Sequence, residues 1–274
     1  EEENNTLQGR IPHATMEDSN PTMTPSYPLL SPTSSRLPSN QAEALNSSIT
    51  ETPAGDRIDM HKAKLIPADL VVFIAAHIGR AKILSEWIDP SVLDETNPDR
   101  RDPALDLYGA ALSPPYSDEF LTRYRAAQIA RNKKITAWVK YKLDSLEQAG
   151  RVNEEFAFVT HGTMADPRWL DPLVDPNDRV PGTCYLGDPR VVNNGPVGLA
   201  RFCTLRSWLS QWSLDDANAC GPSGLGQGSV PVLVVGNTAD DACTPSHTKA
   251  FYAEWVIRYL HPADSLWKKL WDVL

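Results

Sequence analysis

Two continuous apolar runs stand out in the pattern of hydrophobic and polar positions along the chain. The first spans Leu70–Ala76, and the second spans Val230–Val235 and is followed by Gly236. Short apolar runs rich in β-branched residues are typical of strands that are buried on both faces. A weaker run at Glu155–Thr160 predicts a third strand. Because helical patterns separate the two strong runs, the chain is predicted to be an α/β protein with a mostly parallel sheet.

Two helical patterns lie between the strong runs. The longer one begins at Ser117, a residue type favoured at helix N-termini, and ends before Gly150, and its length allows a break near Arg131. Its apolar positions recur at helical spacing and predict one buried stripe. Its many basic residues predict a solvated face or, alternatively, a groove for an anionic substrate. A shorter helix is predicted over Val197–Trp212.

The N-terminal region has a different composition. Residues 1–56 are rich in Ser, Thr, Pro and Asn and show no apolar periodicity. Such a segment buries too little apolar surface to offset the entropy lost on ordering, so it is predicted to be disordered. The ordered domain is predicted to span residues 57–274. No membrane span is expected, because a span needs about 20 apolar residues and the longest run is much shorter.

Composition narrows the classes of function. The formal net charge is −9, which lacks the basic footprint of a general nucleic-acid binder, so no nucleic-acid partner is expected. The four cysteines lie far apart without a CxxC pair, which predicts neither a disulfide scaffold nor a cysteine-based zinc site. The acidic, polar N-terminal residues do not resemble a signal peptide. We therefore expect a cytoplasmic protein in a reducing setting.

The loop after the second strong run holds the main candidate for a catalytic residue. Asp240 and Asp241 follow Gly236, and Pro245 lies four positions after Asp241. In a parallel sheet, functional groups gather beyond the carboxyl ends of the strands. A carboxylate there can orient a histidine during nucleophilic catalysis, and Asp241 fits this role better than Asp240 because of its spacing to the proline. The alternative is that both aspartates only cap a turn.

Other chemical signals are weaker. None of the six histidines has an evident partner in the sequence; the four weighed as candidates are His77, His161, His247 and His261. For His77, which closes the first strong run, a structural hydrogen-bonded role is favoured over a catalytic one. The loop from Asp175 to Arg179 places an arginine where an EF-hand needs an oxygen ligand, and no HExxH motif occurs. Neither a metal nor a cofactor is predicted.

Several motifs, in a consistent order, resemble those of a microbial α/β-hydrolase family. The matching segments are Arg101–Tyr108, Gly182–Pro189, Gly195–Phe202, Ser207–Ser213 and Val232–Pro245. The similarity runs from about residue 41 to about residue 253. It implies that residues 67–77 form the strand after the nucleophile helix and that residues 80–150 form a helical cap. It also implies that Asp241 is the acid of a serine–histidine–acid triad acting on a small ester, lactone or related acyl substrate.

The chain departs from that family pattern on both sides of the matching region. No G-x-S-x-G elbow stands before Gln41, and the prolines there exclude the sharp turn that exposes the serine. The first half of the sheet and the oxyanion loop have no counterpart upstream. Where the family places its histidine, the chain instead has four apolar residues at the spacing of an amphipathic helix: Trp267, Leu270, Trp271 and Leu274. The expected fold is therefore a partial α/β-hydrolase fold.

Two functions follow from these expectations. The first is a serine hydrolase with weak or no activity in this chain, because neither nucleophile nor base is identified. The second is a non-catalytic, hydrolase-like protein that binds a small molecule or a protein partner. An incomplete sheet would leave apolar edges uncovered, so self-association is expected in that case. A third interpretation is that both ends come from a mis-assembled gene.

Overall fold

The computed structural model describes residues 43–218 and 230–259, with side chains as far as Ala253. A 3-10 turn at Met60–Ala63 precedes β1. These follow in the order β1 (Val71–Ile74), α1 (Arg80–Trp87), α2 (Asp118–Gln148), β2 (Ala157–Val159), α3 (Pro167–Leu170), α4 (Pro189–Asn194), β3 (Phe202–Thr204), α5 (Leu205–Gln211), β4 (Val232–Val235) and α6 (Pro245–Tyr259). The protein is therefore a mixed α/β protein.

The two strong apolar runs form neighbouring parallel strands. β1 pairs with β4 in the register that sets Val71 opposite Val232 and Ile74 opposite Val235. Beyond the strands, the amide of Ala75 donates to the carbonyl of Val235 at 2.9 Å. The predicted parallel pairing is confirmed. It brings the carboxyl ends of both strands to one edge of the sheet.

Within the described part of the chain, the sheet formed by β1 and β4 is covered on one face only. Phe73 is buried and packs against Phe251 of α6, with 4.7 Å between the ring centroids. The alternate side chains point the other way, and Ile74 is 67% exposed. The expectation of strands buried on both faces is therefore wrong. We call the uncovered side the bare face; it consists of Leu70, Val72, Ile74, Leu233 and Val235.

A second, antiparallel pair joins β2 to β3, with Phe158 opposite Cys203. The weak strand signal near residue 157 is thus confirmed with narrower bounds. The helix expected over Val197–Trp212 is only partly correct, because Phe202–Thr204 form β3 and only Leu205–Gln211 are helical. Thr204 ends the strand and starts α5, since its side chain and that of Ser207 form a reciprocal capping box.

α2 is the longest helix and supplies much of the core. Its N-cap is Ser117, whose hydroxyl accepts a hydrogen bond from the amide of Phe120 at 3.2 Å. After the helix, Gly150 has a φ of +72°, which suits glycine because it has no Cβ. The helix is continuous, so the break considered near Arg131 does not occur. Val139 is buried on the helix face that packs against α1 and α5.

Several expectations fall partly or wholly outside the described residues. Most of the segment predicted to be disordered, residues 1–56, lies outside them. In the described part, residues 43–56, the carboxylate of Glu43 accepts hydrogen bonds from the amides of Ser48 and Ile49. The amphipathic pattern at residues 267–274 also lies outside. In the stretches described, no helix has the length and apolar character needed to cross a membrane.

Candidate functional site

Two loops meet at the carboxyl edge of the parallel pair. One follows β1 and begins at Ala75, and the other follows β4 and runs from Gly236 to Thr244. The thiol of Cys243 donates to the carbonyl of Ala75 at 2.9 Å and so ties the loops together. Burial raises the pKa of Cys243 to about 12, which keeps the thiol protonated as the donor. This edge is where the sequence places the candidate site.

Asp240 and Asp241 have different roles in the loop after β4. One carboxylate oxygen of Asp240 accepts hydrogen bonds from the amides of Ala242 and Cys243, at 2.9 and 2.7 Å, and so closes a turn. In the described residues, no side chain hydrogen-bonds to the carboxylate of Asp241. Its backbone carbonyl accepts a hydrogen bond from the indole of Trp169 at 2.7 Å, which fixes the position of the residue.

The environment of Asp241 shifts the pKa of its carboxyl group upwards. Burial raises the pKa of its carboxyl group, and the negative charge of Asp240 raises it further, while Arg179 acts in the opposite direction. A carboxyl group that is fixed by its backbone but not used in the turn could accept a hydrogen bond from an imidazole. The catalytic role of Asp241 stays a prediction.

Behind this loop lies a largely buried group of charged and polar residues, which we call the Arg168 network: Glu86, Asp166, Arg168, Thr244 and His247. The guanidinium of Arg168 donates to the carboxylate of Asp166 at 2.9 Å and to the hydroxyl of Thr244 at the same distance. It also contacts the carboxylate of Glu86. The network therefore joins α1, α3 and the start of α6 by charge as well as by packing.

His247 completes the Arg168 network. Its Nε2 lies 2.9 Å from the carboxylate of Glu86 and 3.2 Å from a guanidinium nitrogen of Arg168. In the tautomer with the proton on Nε2, the ring donates to Glu86. Its Nδ1 is buried and makes no hydrogen bond within the described part of the chain. The histidine that follows the Asp241 loop is thus held by Glu86.

The Arg168 network keeps its carboxyl groups ionised. Burial alone would raise the pKa of Asp166, but the charges of Arg125 and Arg168 and the hydrogen bonds from Arg168 hold it well below its usual range. For Glu86, the bond to His247 and the charge of Arg168 likewise outweigh burial and lower the pKa. Buried charges are tolerated in proteins when each has such partners.

Over residues 43–218 and 230–259, no hydrogen bond joins another histidine to Asp241. His77 follows β1, and its Nδ1 accepts a hydrogen bond from the amide of Gly79 at 3.1 Å. Burial lowers the pKa of His77, and electrostatic interactions with His247 and Arg80 lower it further. His161 contributes only its backbone carbonyl, to Arg131. His261 lies outside the described residues.

Arg131 and Arg125 of α2 depart from the expected solvated face, whereas several other basic residues of the helix are exposed as expected: Arg123, Lys133, Lys134 and Lys140. The side chain of Arg131 is 4% exposed; it donates to the carbonyl of Asp89 at 2.6 Å and pairs with Glu95 at 2.7 Å. Arg125 pairs with the buried Asp166 at 2.8 Å. The helical spacing of the sequence could have indicated the burial of Arg131, because this residue lies four positions before the buried Ile135 and so shares its side of the helix.

The described residues form two cavities, one of them at the candidate site. A cavity of about 440 Å³ lies at the end of β4, lined in part by Asn177, Gly236 and Thr248. A second cavity, of about 650 Å³, lies between α2, α5 and residues 53–57.

Over residues 43–218 and 230–259, no group of three or more His, Cys, Asp or Glu side chains is placed to hold a metal ion. Comparison of the chain with protein-family models, with curated proteins and with solved structures found no match.

Proposed function

We propose that this chain contains the part of an α/β-hydrolase-like domain that supplies the catalytic acid, with Asp241 as the acid of a nucleophile–histidine–acid triad. The substrate class is a small ester, lactone or related acyl compound. The observation that carries the proposal is the parallel pairing of β1 with β4, which sets the Asp241 loop at the carboxyl edge beside the loop that follows β1. Open parallel sheets bind their ligands at this edge.

The different hydrogen bonding of Asp240 and Asp241 supports the proposal. A triad acid must accept a hydrogen bond from the histidine and stabilise the imidazolium that forms. Asp240 already accepts two amide hydrogen bonds, whereas the carboxylate of Asp241 takes no part in the turn. Trp169 fixes the backbone of Asp241 and leaves its carboxyl group available.

We expect catalysis by this chain to be weak or absent. In the part of the chain described, no serine or cysteine side chain hydrogen-bonds to a histidine ring. His247, the nearest histidine in sequence to Asp241, is bound to Glu86 and Arg168. Without a paired nucleophile and base, an oriented carboxylate gives only a small rate enhancement.

The test is hydrolysis of p-nitrophenyl acetate and butyrate by three forms of the chain. We expect a slow rate for the wild type and a measurably lower rate for Asp241→Asn, by a small factor because the carboxylate acts here without a paired nucleophile and base. Asp240→Asn is the matched control, because an asparagine oxygen can still accept the two amide hydrogen bonds of the turn. Equal rates for the wild type and Asp241→Asn would contradict the role of Asp241.

An active-site serine probe gives a second measurement. We expect no stoichiometric labelling by a fluorophosphonate, since no serine among the described residues is hydrogen-bonded to a histidine ring. Rapid, complete labelling would show that an activated nucleophile is present and would overturn the expectation of weak catalysis. Mass spectrometry of the labelled peptide would then identify the nucleophilic residue.

A second candidate function is non-catalytic binding of a small apolar molecule. It is favoured by the cavity of about 440 Å³ at the end of β4, whose volume is within the range of ligand pockets. Thr248→Phe should fill this cavity and abolish binding of an apolar fluorescent dye at that position. Ser246→Phe, which changes a neighbouring residue outside the lining, is the control and should retain binding. Equal dye binding by both variants would contradict the assignment.

A further inference from the structure

Arg179 is buried at the end of the loop that follows α3, residues 171–179, which we call the Arg179 loop. Its guanidinium donates hydrogen bonds to four backbone carbonyls, those of Arg168, Asp171, Val174 and Asp175. It donates a further one to the side-chain oxygen of Asn177 at 2.6 Å. These contacts match the five N–H donors that a guanidinium carries in one plane. A single side chain therefore sets the path of the whole loop, including Asp175, whose φ of +52° needs such support.

The Arg179 loop and the end of α3 hold the Asp241 loop by its backbone. Three donors in this part of the chain reach three carbonyls of the loop after β4, each at 2.7 Å. The pairs are the amide of Asp178 with Thr238, the side chain of Asn177 with Asp240, and the indole of Trp169 with Asp241. The position of Asp241 thus depends on donors that lie outside its own loop.

Asn177 links Arg179 directly to the Asp241 loop. The side-chain oxygen of Asn177 accepts hydrogen bonds from the guanidinium of Arg179 at 2.6 Å and from the backbone amide of Arg179 at 3.3 Å. Because a guanidinium can only donate, it selects the oxygen end of the asparagine side chain. The amide end is then turned to the carbonyl of Asp240, to which it donates at 2.7 Å. Arg179 therefore determines which end of Asn177 faces Asp240.

We propose that Arg179 is a positioning residue for Asp241, because it shapes the loop whose donors hold the backbone of Asp241 at the carboxyl edge of β4. The catalytic part of this role rests on the proposed function of Asp241 as a triad acid, since such an acid must be held in place to orient a histidine. Burial raises the pKa of the Asp241 carboxyl, the charge of Asp240 raises it further, and Arg179 lowers it. Arg179 thus affects both the position and the charge of the candidate acid.

Amide hydrogen exchange of the full chain, followed by NMR, tests the proposal with Arg179→Ala. The amide of Cys243 belongs to the Asp241 loop and donates to the carboxylate of Asp240 at 2.7 Å. We expect it to exchange at least about tenfold faster in Arg179→Ala than in the wild type, because the loop is no longer held from outside. The amide of Asp89, which donates to a carbonyl at 2.8 Å elsewhere in the fold, should keep its rate. An unchanged rate at Cys243 would overturn the proposal, and so would an equal rise at Asp89, because Arg179 would then stabilise the whole fold and not this loop.

Arg201→Ala is the matched control. Arg201 is 9% exposed and donates to the carbonyls of Thr160 and Asn193 at 3.1 and 3.0 Å, so it is also a buried arginine that bonds to the backbone. Both acceptors lie outside the Asp241 loop. In this variant, the Cys243 amide should exchange at the wild-type rate. An acceleration equal to that in Arg179→Ala would show that the effect is not specific to Arg179 and would overturn the proposal.

Asn177→Asp tests the link to the Asp241 loop without removing the guanidinium. The aspartate has the shape of asparagine and still accepts from Arg179, but it presents an oxygen in place of an N–H donor to the carbonyl of Asp240. We expect exchange of the same reporter amide to be at least about threefold faster, because one hydrogen bond to the loop is lost. Asn237→Asp adds the same charge within the loop at an exposed side chain and should leave the rate unchanged. Equal rates for the two variants would overturn the link through Asn177.

Titration of the Asp241 carboxyl by carbon-13 NMR separates this proposal from the proposed function. Arg179→Ala removes a positive charge and should raise the pKa of Asp241, whereas Arg201→Ala should leave that pKa unchanged. If Arg179→Ala changes neither the titration nor the exchange, the positioning role is refuted, whatever Asp241 does in ester hydrolysis. If both respond but Asp241→Asn hydrolyses esters as fast as the wild type, the positioning role stands and the triad role of Asp241 fails.

Discussion

Arg168 is the residue on which the buried charges behind the site depend. Its guanidinium contacts the carboxylates of Asp166 and Glu86 and the hydroxyl of Thr244. Removing one partner from a buried ion pair leaves the other charge without solvent or counter-charge, which costs far more than breaking an exposed pair. The stability of the region around the candidate site should therefore be most sensitive to this arginine.

Replacing Arg168 by methionine should lower the free energy of unfolding by about 3–5 kcal/mol. The matched control is Arg190→Met, because Arg190 forms an exposed pair with Asp188 and its loss should change stability by less than about 0.5 kcal/mol. Urea denaturation followed by circular dichroism measures both. Similar losses for the two variants would show that the Arg168 network is not buried as described.

The same network predicts how stability changes with pH. The pKa values of Asp166 and Glu86 are lowered in the folded state, so their contribution to stability is complete above their unfolded pKa values, about 4. It is lost as pH falls through the folded values, because the unfolded chain then binds more protons. Asp241, whose pKa is raised, acts in the opposite direction.

We therefore expect the urea midpoint of unfolding to fall steadily as pH is lowered from 5 to 3. Glu86→Gln should show a shallower fall, since one of the lowered carboxyl groups is gone. A midpoint that does not change over this range, or that rises, would contradict the charge assignment.

At the scale of single elements, α2 is a helix whose bounds can be predicted from local sequence patterns. Both of its ends are set locally, by the hydroxyl of Ser117 at the start and by Gly150 after the end. Local signals of this kind can be recognised without knowing the rest of the fold. The 31-residue helix is accordingly predicted with nearly correct bounds.

Replacing Ser117 by alanine should destabilise the protein by about 1 kcal/mol, because the amide of Phe120 loses its acceptor. Ser145→Ala is the control within the same helix, where the exposed hydroxyl only bonds back to the carbonyl of Tyr141 and its removal should have little effect. Thermal denaturation by calorimetry compares the two. Equal effects would mean that Ser117 is not the N-cap.

Elements and contacts that depend on distant residues were predicted less well. Phe202–Thr204 carry a helical pattern but form a strand, because pairing with β2 supplies hydrogen bonds that local propensity does not reveal. The contact between Arg168 and Glu86 joins residues far apart in the sequence, and the charge pattern gives no sign of it. The bare face was missed for a related reason: an apolar run indicates that cover is needed but not which element provides it.

At the scale of the whole molecule, the parallel pair is what connects the sequence to a function. The two apolar runs predict β1 and β4, and their pairing sets Asp241 beside the loop that follows β1. The catalytic role of Asp241 stays a prediction, which the sequence suggests because the residue follows a strand at the edge where parallel sheets bind ligands. The Arg168 network, which holds His247 away from such a role, could not be predicted from the sequence, because it forms only when α1, α3 and α6 pack together.

Solution NMR of the isotopically labelled chain tests that pairing most directly. Cross-strand NOEs are expected between Val71 and Val232 and between Ile74 and Val235, together with slow exchange of the Ala75 amide. NOEs linking Val71 to Val235 and Ile74 to Val232 would show antiparallel strands. That result, or the absence of any NOE between the two strands, would contradict the placement of Asp241 on which the proposed function rests.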